Sequence, residues 1–452
     1  MLVGSVLDPQ EIDQIGPKVD LVELRLDAFD IEQRPKYPCI FTLRKKEQGG
    51  LKEIGEKERL AQIERYLELG PEYCDIEADT DPVWIAKMAK RFPKVKLIGS
   101  AHNFQETPAD LDALLRSMKN PHFAIYKIAL KAHSTSDMLR LMYFARKSSV
   151  PLSVMSMGEL GKPSRVLAPI MGSLLNYTGL AEEPNLHRYN LQTLLETFHY
   201  RKLTRNTLIY SLIGDPVEKS PGHFFHNPRF KHNAVYVKMV VQPHEVHAVF
   251  SLIKQLPFGG LSVTIPLKEL IQSEMDEIMP MAKKMGAINT VIFREGRTIG
   301  TNTDGPGALN ALEKHVAVKG KKVAVLGAGG SARAIVVEAK ERGADVLIFN
   351  RTPAKAHKLA KEFGCRGFGL DEITQHAYDL LINTIPPTAT DVPPIRPRTT
   401  VMDIVIAPKE TPLLREAQKL GCHLVYGEEM FIEQALLQQK EWNLSHNTTY
   451  QK

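Results

Sequence analysis

A chain of 452 residues with 43% hydrophobic and 24% charged side chains has the make-up of a globular protein that buries a sizeable core. At about 150 residues per domain, its length corresponds to roughly three domain-sized units. The formal net charge of +6 is spread among acids rather than gathered into a stripe, which argues against a nucleic-acid or membrane partner and supports only weak attraction for small anions.

No apolar run approaches the roughly 18 residues of a membrane span, and Met1–Asp8 has no basic start or long apolar segment, so a cytoplasmic location is expected. Cys39, Cys74, Cys365 and Cys422 form no Cys-x-x-Cys pair. Buried, reduced thiols are expected, with no metal site.

Short β-branched or apolar runs open the chain at Leu2–Val6, Val19–Arg25, Cys39–Leu43, Tyr73–Ala78, Lys96–Ala101, Ala124–Ala129, Leu152–Met157 and Leu174–Gly179. Amphipathic stretches separate several of them: Glu56–Leu69, Val83–Arg91, Ala109–Met118 and Ser136–Lys147. About eight β/α units in roughly 200 residues predict a small (β/α)8 TIM barrel, whose chemistry sits at the C-terminal ends of its strands. Glu23, Arg25, Arg44, Glu77, His102, Lys127 and, in a following loop, Arg165 fall at those ends.

Lys127 interrupts the run Ala124–Leu130, where a buried ammonium is costly. Desolvation favours a neutral amine able to attack a ketone; a lysine facing outward from a half-exposed strand is the alternative. His102, on the preceding strand, is placed to move a proton beside an iminium, with Glu77 a candidate to orient it. Arg25 and Arg165 suit an anionic substrate through their paired donors.

Glu23-Leu24-Arg25-Leu26-Asp27, Ser100-x-His102-x-Phe104 with Thr107-Pro108, Lys127-Ile128-Ala129 and Ser164-Arg165 resemble the type I 3-dehydroquinate dehydratases over about residues 1–203. The resemblance implies a lyase in which Lys127 forms an imine with 3-dehydroquinate and His102 moves the adjacent proton. It further implies that Glu23, Arg25, Arg44 and Arg165 contact substrate hydroxyls and carboxylate, and that Glu77 is the acid near the histidine. The family's Ser-Ala-Pro-Gly-Gln loop is replaced by Glu183-Pro184-Asn185-Leu186-His187-Arg188, which leaves Arg188 as a stand-in for the missing glutamine.

After a short polar join at Thr204–Thr207 the rhythm restarts, with a strand at Leu208–Ile213. Lys321–Leu326 then runs into the loop Gly327, Ala328, Gly329, Gly330, Ser331, Ala332, followed by a helix to about Arg342 and a strand at Asp345–Phe349. Strand, glycine turn, helix and strand in this order predict a Rossmann dinucleotide site, with loop amides at a helix N-terminus holding the pyrophosphate. Asn350, Arg351 and Thr352 stand where an NAD enzyme usually carries an acid, and the arginine favours the 2′-phosphate of NADP.

Ser262–Lys268, Gly286–Thr290 and Gly300–Gly305 together with that loop closely resemble the shikimate dehydrogenases over about residues 206–452. The resemblance implies a two-lobed α/β enzyme: a substrate lobe at 206–302, the NADP lobe at 303–426, and a helical segment at 427–452 returning to the substrate lobe. It places the catalytic pair on Lys268 and Asp304 and substrate contacts on Ser220, Thr264, Asn289, Asp304 and Gln434. Asn350, Arg351 and Thr352 fall on the adenosine-phosphate contacts, with Gly427 and Met430 near the nicotinamide. Two departures are Gly222 for a serine and Ile406 for a tyrosine.

The joint expectation is a bifunctional enzyme that dehydrates 3-dehydroquinate to 3-dehydroshikimate and reduces that product to shikimate with NADPH. Two alternatives stay open: a dehydrogenase working chiefly in reverse or on quinate with NAD, and a barrel that senses a metabolite without turnover. Oligomeric state is not readable from these residues.

Overall fold

The computed structural model describes residues 1–181, 188–385 and 392–449. The chain divides into two compact units, Met1–Ile209 with Lys231–Pro257, and Tyr210–Phe230 with Phe258–Lys452.

The first unit contains eight parallel strands: β1 (Leu2–Val6), β2 (Leu21–Arg25), β3 (Cys39–Thr42), β4 (Tyr73–Glu77), β5 (Lys96–Asn103), β6 (Phe123–Lys131), β7 (Leu152–Met157) and β8 (Asn176–Thr178). They run in the order β7-β6-β5-β4-β3-β2-β1-β8. Closure is made at the entry to β8, where Leu174 N–H donates to the Leu152 carbonyl at 2.8 Å and Ser153 Oγ donates to the Leu175 carbonyl at 2.7 Å. The expected barrel is present, with β6 longer and β8 shorter than their apolar runs.

The eight strands carry fewer full helices than eight β/α units would supply. The substantial ones are α2 (Glu56–Leu67), α3 (Pro82–Arg91), α4 (Leu111–Ser117) and α5 (Thr135–Lys147), whereas α1 (Ile12–Ile15) and α6 (Ser164–Leu167) are single turns. No helix joins β2 to β3, where Pro35 and Pro38 remove backbone donors and bias their predecessors toward extended backbone. The ends of α3, α4 and α5 are set locally: Asp81, Asp110 and Ser134 accept from Val83, Ala113 and Asp137 N–H groups.

Alternation along each strand divides the barrel interior by depth. Val3, Leu21, Ile40, Ile98, Ile125, Met155 and Leu175 form an apolar plug, each burial worth about 1.5–3 kcal/mol. Two or four residues farther along the same faces stand Glu23, Arg25, Thr42, Arg44, Asp75, Glu77, Ser100, His102 and Lys127. The plug thus forms the floor of a polar mouth.

A mixed sheet follows, of β9 (Leu208–Gly214), β10 (Ala234–Val240), β11 (Phe258–Val263), β12 (Glu277–Ile278), β13 (Thr290–Arg294) and β14 (Arg297–Thr301), ordered β10-β9-β11-β13-β14-β12. The β13–β14 hairpin turns on Glu295 and Gly296, both at positive φ as its two-residue loop requires. Helices α7 (Gly222–His226), α8 (Val246–Ile253) and α9 (Pro280–Met285) accompany these strands, and α10 (Asp304–Glu313) follows β14.

The last sheet is parallel: β15 (Lys322–Leu326), β16 (Asp345–Asn350), β17 (Arg366–Gly369), β18 (Leu380–Asn383), β19 (Thr400–Asp403) and β20 (His423–Val425), ordered β17-β16-β15-β18-β19-β20. Counted from its first strand this is 3-2-1-4-5-6, with the reversal between β15 and β18 opening a crevice at their C-terminal ends. Helices α11 (Gly330–Glu341), α12 (Pro353–Phe363) and α13 (Pro412–Lys419) flank it, and α14 (Gly427–Thr449) packs along α10.

All four cysteines are free; Cys39 and Cys74 are buried as expected, but Cys365 and Cys422 are partly exposed. Among the described residues no helix is long and apolar enough to cross a membrane.

Two candidate active sites

In the barrel mouth Lys127 is 4% exposed, so the outward-facing alternative fails. Nor is it an unpaired amine in an apolar strand, as the run around it suggested. Its Nζ lies 2.8 Å from Asp75 Oδ2, 3.5 Å from Glu23 Oε1 and 4.1 Å from the centroid of the Tyr177 ring. Asp75 had no role in the sequence reading, and it is the closest partner of this lysine. Its signal was present: Tyr73, Asp75 and Glu77 share one face of β4, so an inward Glu77 carries Asp75 inward too.

Burial alone would push Asp75 upward, yet Arg44 and Lys127 hold its carboxyl well below the usual range. Burial likewise opposes ionisation of Glu23, and Lys127 with Arg25 outweighs it. Ser5 and Thr42 hydroxyls donate to the Glu23 carboxylate at 2.6 and 3.0 Å.

Arg44 is occupied internally, with Nη2 2.8 Å from Asp75 and Nη1 at 2.5 Å from Ser100 Oγ and 3.2 Å from Glu77. Arg25 grips Asp27 through two nitrogens and donates to the Gly49 carbonyl. Arg165 differs: its Nε and Nη1 are buried and make no hydrogen bond among the described residues. Burial, followed by the nearby charge of Arg188, pushes its guanidinium down to about 10. A buried cation with two unused donors is built for an anion. Residues 183–187 of the substituted loop lie outside the described residues; Arg188 is described and is 6% exposed.

Glu77 does not orient His102. Its carboxylate accepts from Arg44, from Arg59 at 2.7 Å and from Lys45 N–H at 2.9 Å. His102 instead meets Gln48, whose Oε1 is 3.2 Å from both the backbone nitrogen and ring Nδ1. Residue spacing could not expose this pairing, because the partners are 54 positions apart. Burial, then the charges of Arg44 and Lys127, pushes the imidazole well below its ordinary 6.5.

In the second unit Lys268 Nζ is 2.5 Å from Asp304 Oδ2 and 3.2 Å from Ser331 Oγ. Asp304, the first residue of α10, benefits from the positive end of that helix. Asn289 donates to its other oxygen at 2.7 Å and to Thr303 Oγ1 at 3.0 Å, while Thr303 Oγ1 lies 3.5 Å from Gln434 Oε1. The fold therefore gathers Lys268, Asp304, Asn289, Gln434 and Ser331 from five separate segments.

Ser220 stands apart in the turn before α7, where its Oγ accepts from Gly222 N–H, and Thr264 lies against Gly214. Thr303 and Gln438 were not singled out from the sequence. Gln438 is one turn beyond Gln434 on α14 and donates to Thr290 Oγ1 and the Asn289 carbonyl while accepting from Ser262.

The nucleotide loop leaves β15 at Gly327, whose φ of 111° calls for glycine. Space around a Cβ at Gly329 is open, and Gly330 begins the 12-residue helix α11. Ala328 and Ala332 flank these positions, with Ala332 fully buried. Backbone amides at such a terminus suit a pyrophosphate. At the end of β16, Asn350 Nδ2 donates to the Thr352 carbonyl and Arg351, just beyond, is exposed, so the donor set fits NADP. Gly427 lies against the Val405 backbone, whereas Met430 is 6% exposed within the apolar core beside β15, β18 and β19.

The sequence matches the type I 3-dehydroquinase family over residues 7–204, the shikimate dehydrogenase substrate-binding domain over 212–291 and the shikimate/quinate 5-dehydrogenase family over 310–405. It is 37% identical to the shikimate biosynthesis protein AroDE of Chlamydia pneumoniae, covering 98% of this chain and 95% of that protein. Identity to the chloroplastic bifunctional 3-dehydroquinate dehydratase/shikimate dehydrogenase of Arabidopsis thaliana is 33%, over 95% of this chain and 78% of the relative. The crystal structure of shikimate dehydrogenase from Aquifex aeolicus covers 53% of this chain and 94% of its own, with 34% identity and a TM-score of 0.51.

Proposed function

Because the chain belongs to the family of fused type I 3-dehydroquinate dehydratases and shikimate dehydrogenases, and so dehydrates 3-dehydroquinate and reduces 3-dehydroshikimate with NADPH, we propose that its two lysines, Lys127 and Lys268, divide that chemistry. The observation that carries the first assignment is the setting of Lys127: a buried amine in a polar barrel mouth, faced by two carboxylates.

Lys127 gives up a proton and its nitrogen attacks the substrate ketone; loss of water leaves an iminium. Ammonium and iminium carry the same charge at the same place, so Asp75 and Glu23 face an unchanged field. His102, held uncharged, removes the proton beside the iminium and returns it to the departing hydroxyl. Water then releases 3-dehydroshikimate from the lysine. Arg165 holds the ring carboxylate, Arg25 assists at the rim, and Arg44 with Glu77 fixes Asp75 rather than touching substrate. Arg188 adds a second cation beside Arg165 in place of the family's glutamine.

In the dehydrogenase, NADPH supplies the hydride when bound. Gly327–Ala332 receive its pyrophosphate, Asn350–Thr352 its adenosine phosphate, and Gly427 marks the nicotinamide end. Lys268 moves the proton at the reacting oxygen, Asp304 orients its amine, and Asn289, Gln434, Thr264 and Ser220 bind the carboxylated ring.

Borohydride reduction in the presence of dehydroquinate tests the first site. Substrate mass trapped on Lys127 is expected; no trapping under conditions where dehydroquinate binds overturns the assignment. A coupled assay from dehydroquinate to shikimate with NADPH reads both steps together.

A further inference from the structure

The nucleotide loop of the dehydrogenase does not merely face Lys268; it touches it. Ser331 Oγ lies 3.2 Å from Lys268 Nζ, and a Cβ on Gly330 would meet Lys268 Cβ and Cδ at 3.7 Å. Asp304 Oδ2 takes another proton of the same amine at 2.5 Å. An ammonium has three protons and no lone pair, so with two committed a single N–H remains for the oxygen of a substrate.

We propose that Ser331 is a positioning residue of the dehydrogenase that ties Lys268 to the nucleotide: its hydroxyl accepts from the Lys268 ammonium and donates its own proton to the NADPH pyrophosphate. Nucleotide binding thereby fixes the direction of the remaining N–H, and the carboxylated ring and the nucleotide bind more tightly together than apart. This rests on the proton-moving role proposed for Lys268 and deepens it.

The serine is not occupied as a helix cap. The N-cap of α11 is Gly329, which has no side chain, and Ser331 is the second residue of the helix proper. Among the described residues its hydroxyl bonds to Lys268 alone, as an acceptor, which leaves its proton uncommitted. At the start of a helix whose amides suit a pyrophosphate, a phosphate oxygen is the acceptor at hand. Donating to that oxygen makes the hydroxyl a stronger acceptor and tightens its hold on Lys268. On the other side Asp304 is anchored independently of the nucleotide: Asn289 donates to its Oδ1 at 2.7 Å, and its own N–H donates to Asn302 Oδ1 at 2.9 Å. The amine is thus held between a fixed carboxylate and a hydroxyl whose grip depends on the nucleotide. Alanine at 331 would keep the helix and the loop glycines while removing that link.

Fluorescence titration of the full-length chain with NADPH, with and without saturating shikimate, gives the direct test; the two do not react, since both are already reduced. NADPH is expected to bind about tenfold more tightly when shikimate is present, the scale of one charge-assisted hydrogen bond. In Ser331→Ala that ratio should fall to near one, while NADPH bound without shikimate shows that the nucleotide lobe is intact. The same ratio in both chains, or a ratio of one in the unsubstituted chain, overturns the inference. Undiminished reduction of 3-dehydroshikimate by Lys268→Ala would instead overturn the role of Lys268.

Discussion

At the scale of single residues, function here depends on which charges remain uncommitted. Arg44 and Arg165 are both buried arginines, but the first spends its donors on Asp75, Glu77 and Ser100 while the second keeps two in reserve. Of these two, it is Arg165 that has donors left over for a ligand. Arg351 is exposed beyond β16, where a guanidinium can meet a 2′-phosphate. Replacing it with alanine should raise KM for NADPH about tenfold while leaving KM for NADH nearly unchanged, as steady-state rates with each nucleotide would register. The sequence made Lys127, His102 and Arg44 visible because each interrupts a strand run or stands at its end, and Arg165 because it follows one in a loop. It hid Asp75 and Gln48, whose meaning lies in partners more than 50 positions away.

Among elements, the clearest dependence is the crossing of α10 with α14. A Cβ at Gly307 would lie 2.5 Å from the Gln434 Cβ and 2.7 Å from its backbone nitrogen, so the helices touch through a missing side chain. Gly307→Ala should cost about 1–3 kcal/mol of stability by forcing them apart. It should also lower shikimate dehydrogenase activity, since Asp304 and Gln434 ride on those two helices, while dehydratase activity persists; denaturation and separate assays read both. The parallel strands were legible as apolar runs, and the glycine loop announced its helix. The missing helix between β2 and β3 shows the limit of counting units, because strands can pair in parallel wherever the connection is long enough, helical or not.

For the whole molecule, two lysines on separate scaffolds imply separable losses. Lys127→Ala should abolish dehydration and leave reduction of 3-dehydroshikimate intact, and Lys268→Ala should do the reverse. Purified variants assayed for each half-reaction settle this, and a folded variant lacking both activities would contradict it. The tandem order has a chemical rationale: the carboxylated enone leaving the first site is the oxidant of the second.

Behind the barrel-mouth lysine runs a file of residues, Lys127, Asp75, Arg44, Glu77, Arg59 and Glu56, each ion-paired to the next and alternating in sign from the interior to a helix on the outside. Removing a buried member such as Asp75, Arg44 or Glu77 strands an odd charge in its neighbour, so the file should tolerate replacement best in compensated pairs. Lys127 is thereby tied to an outer helix it never touches, and scanning positions one at a time would overstate how many of the six the chemistry itself requires.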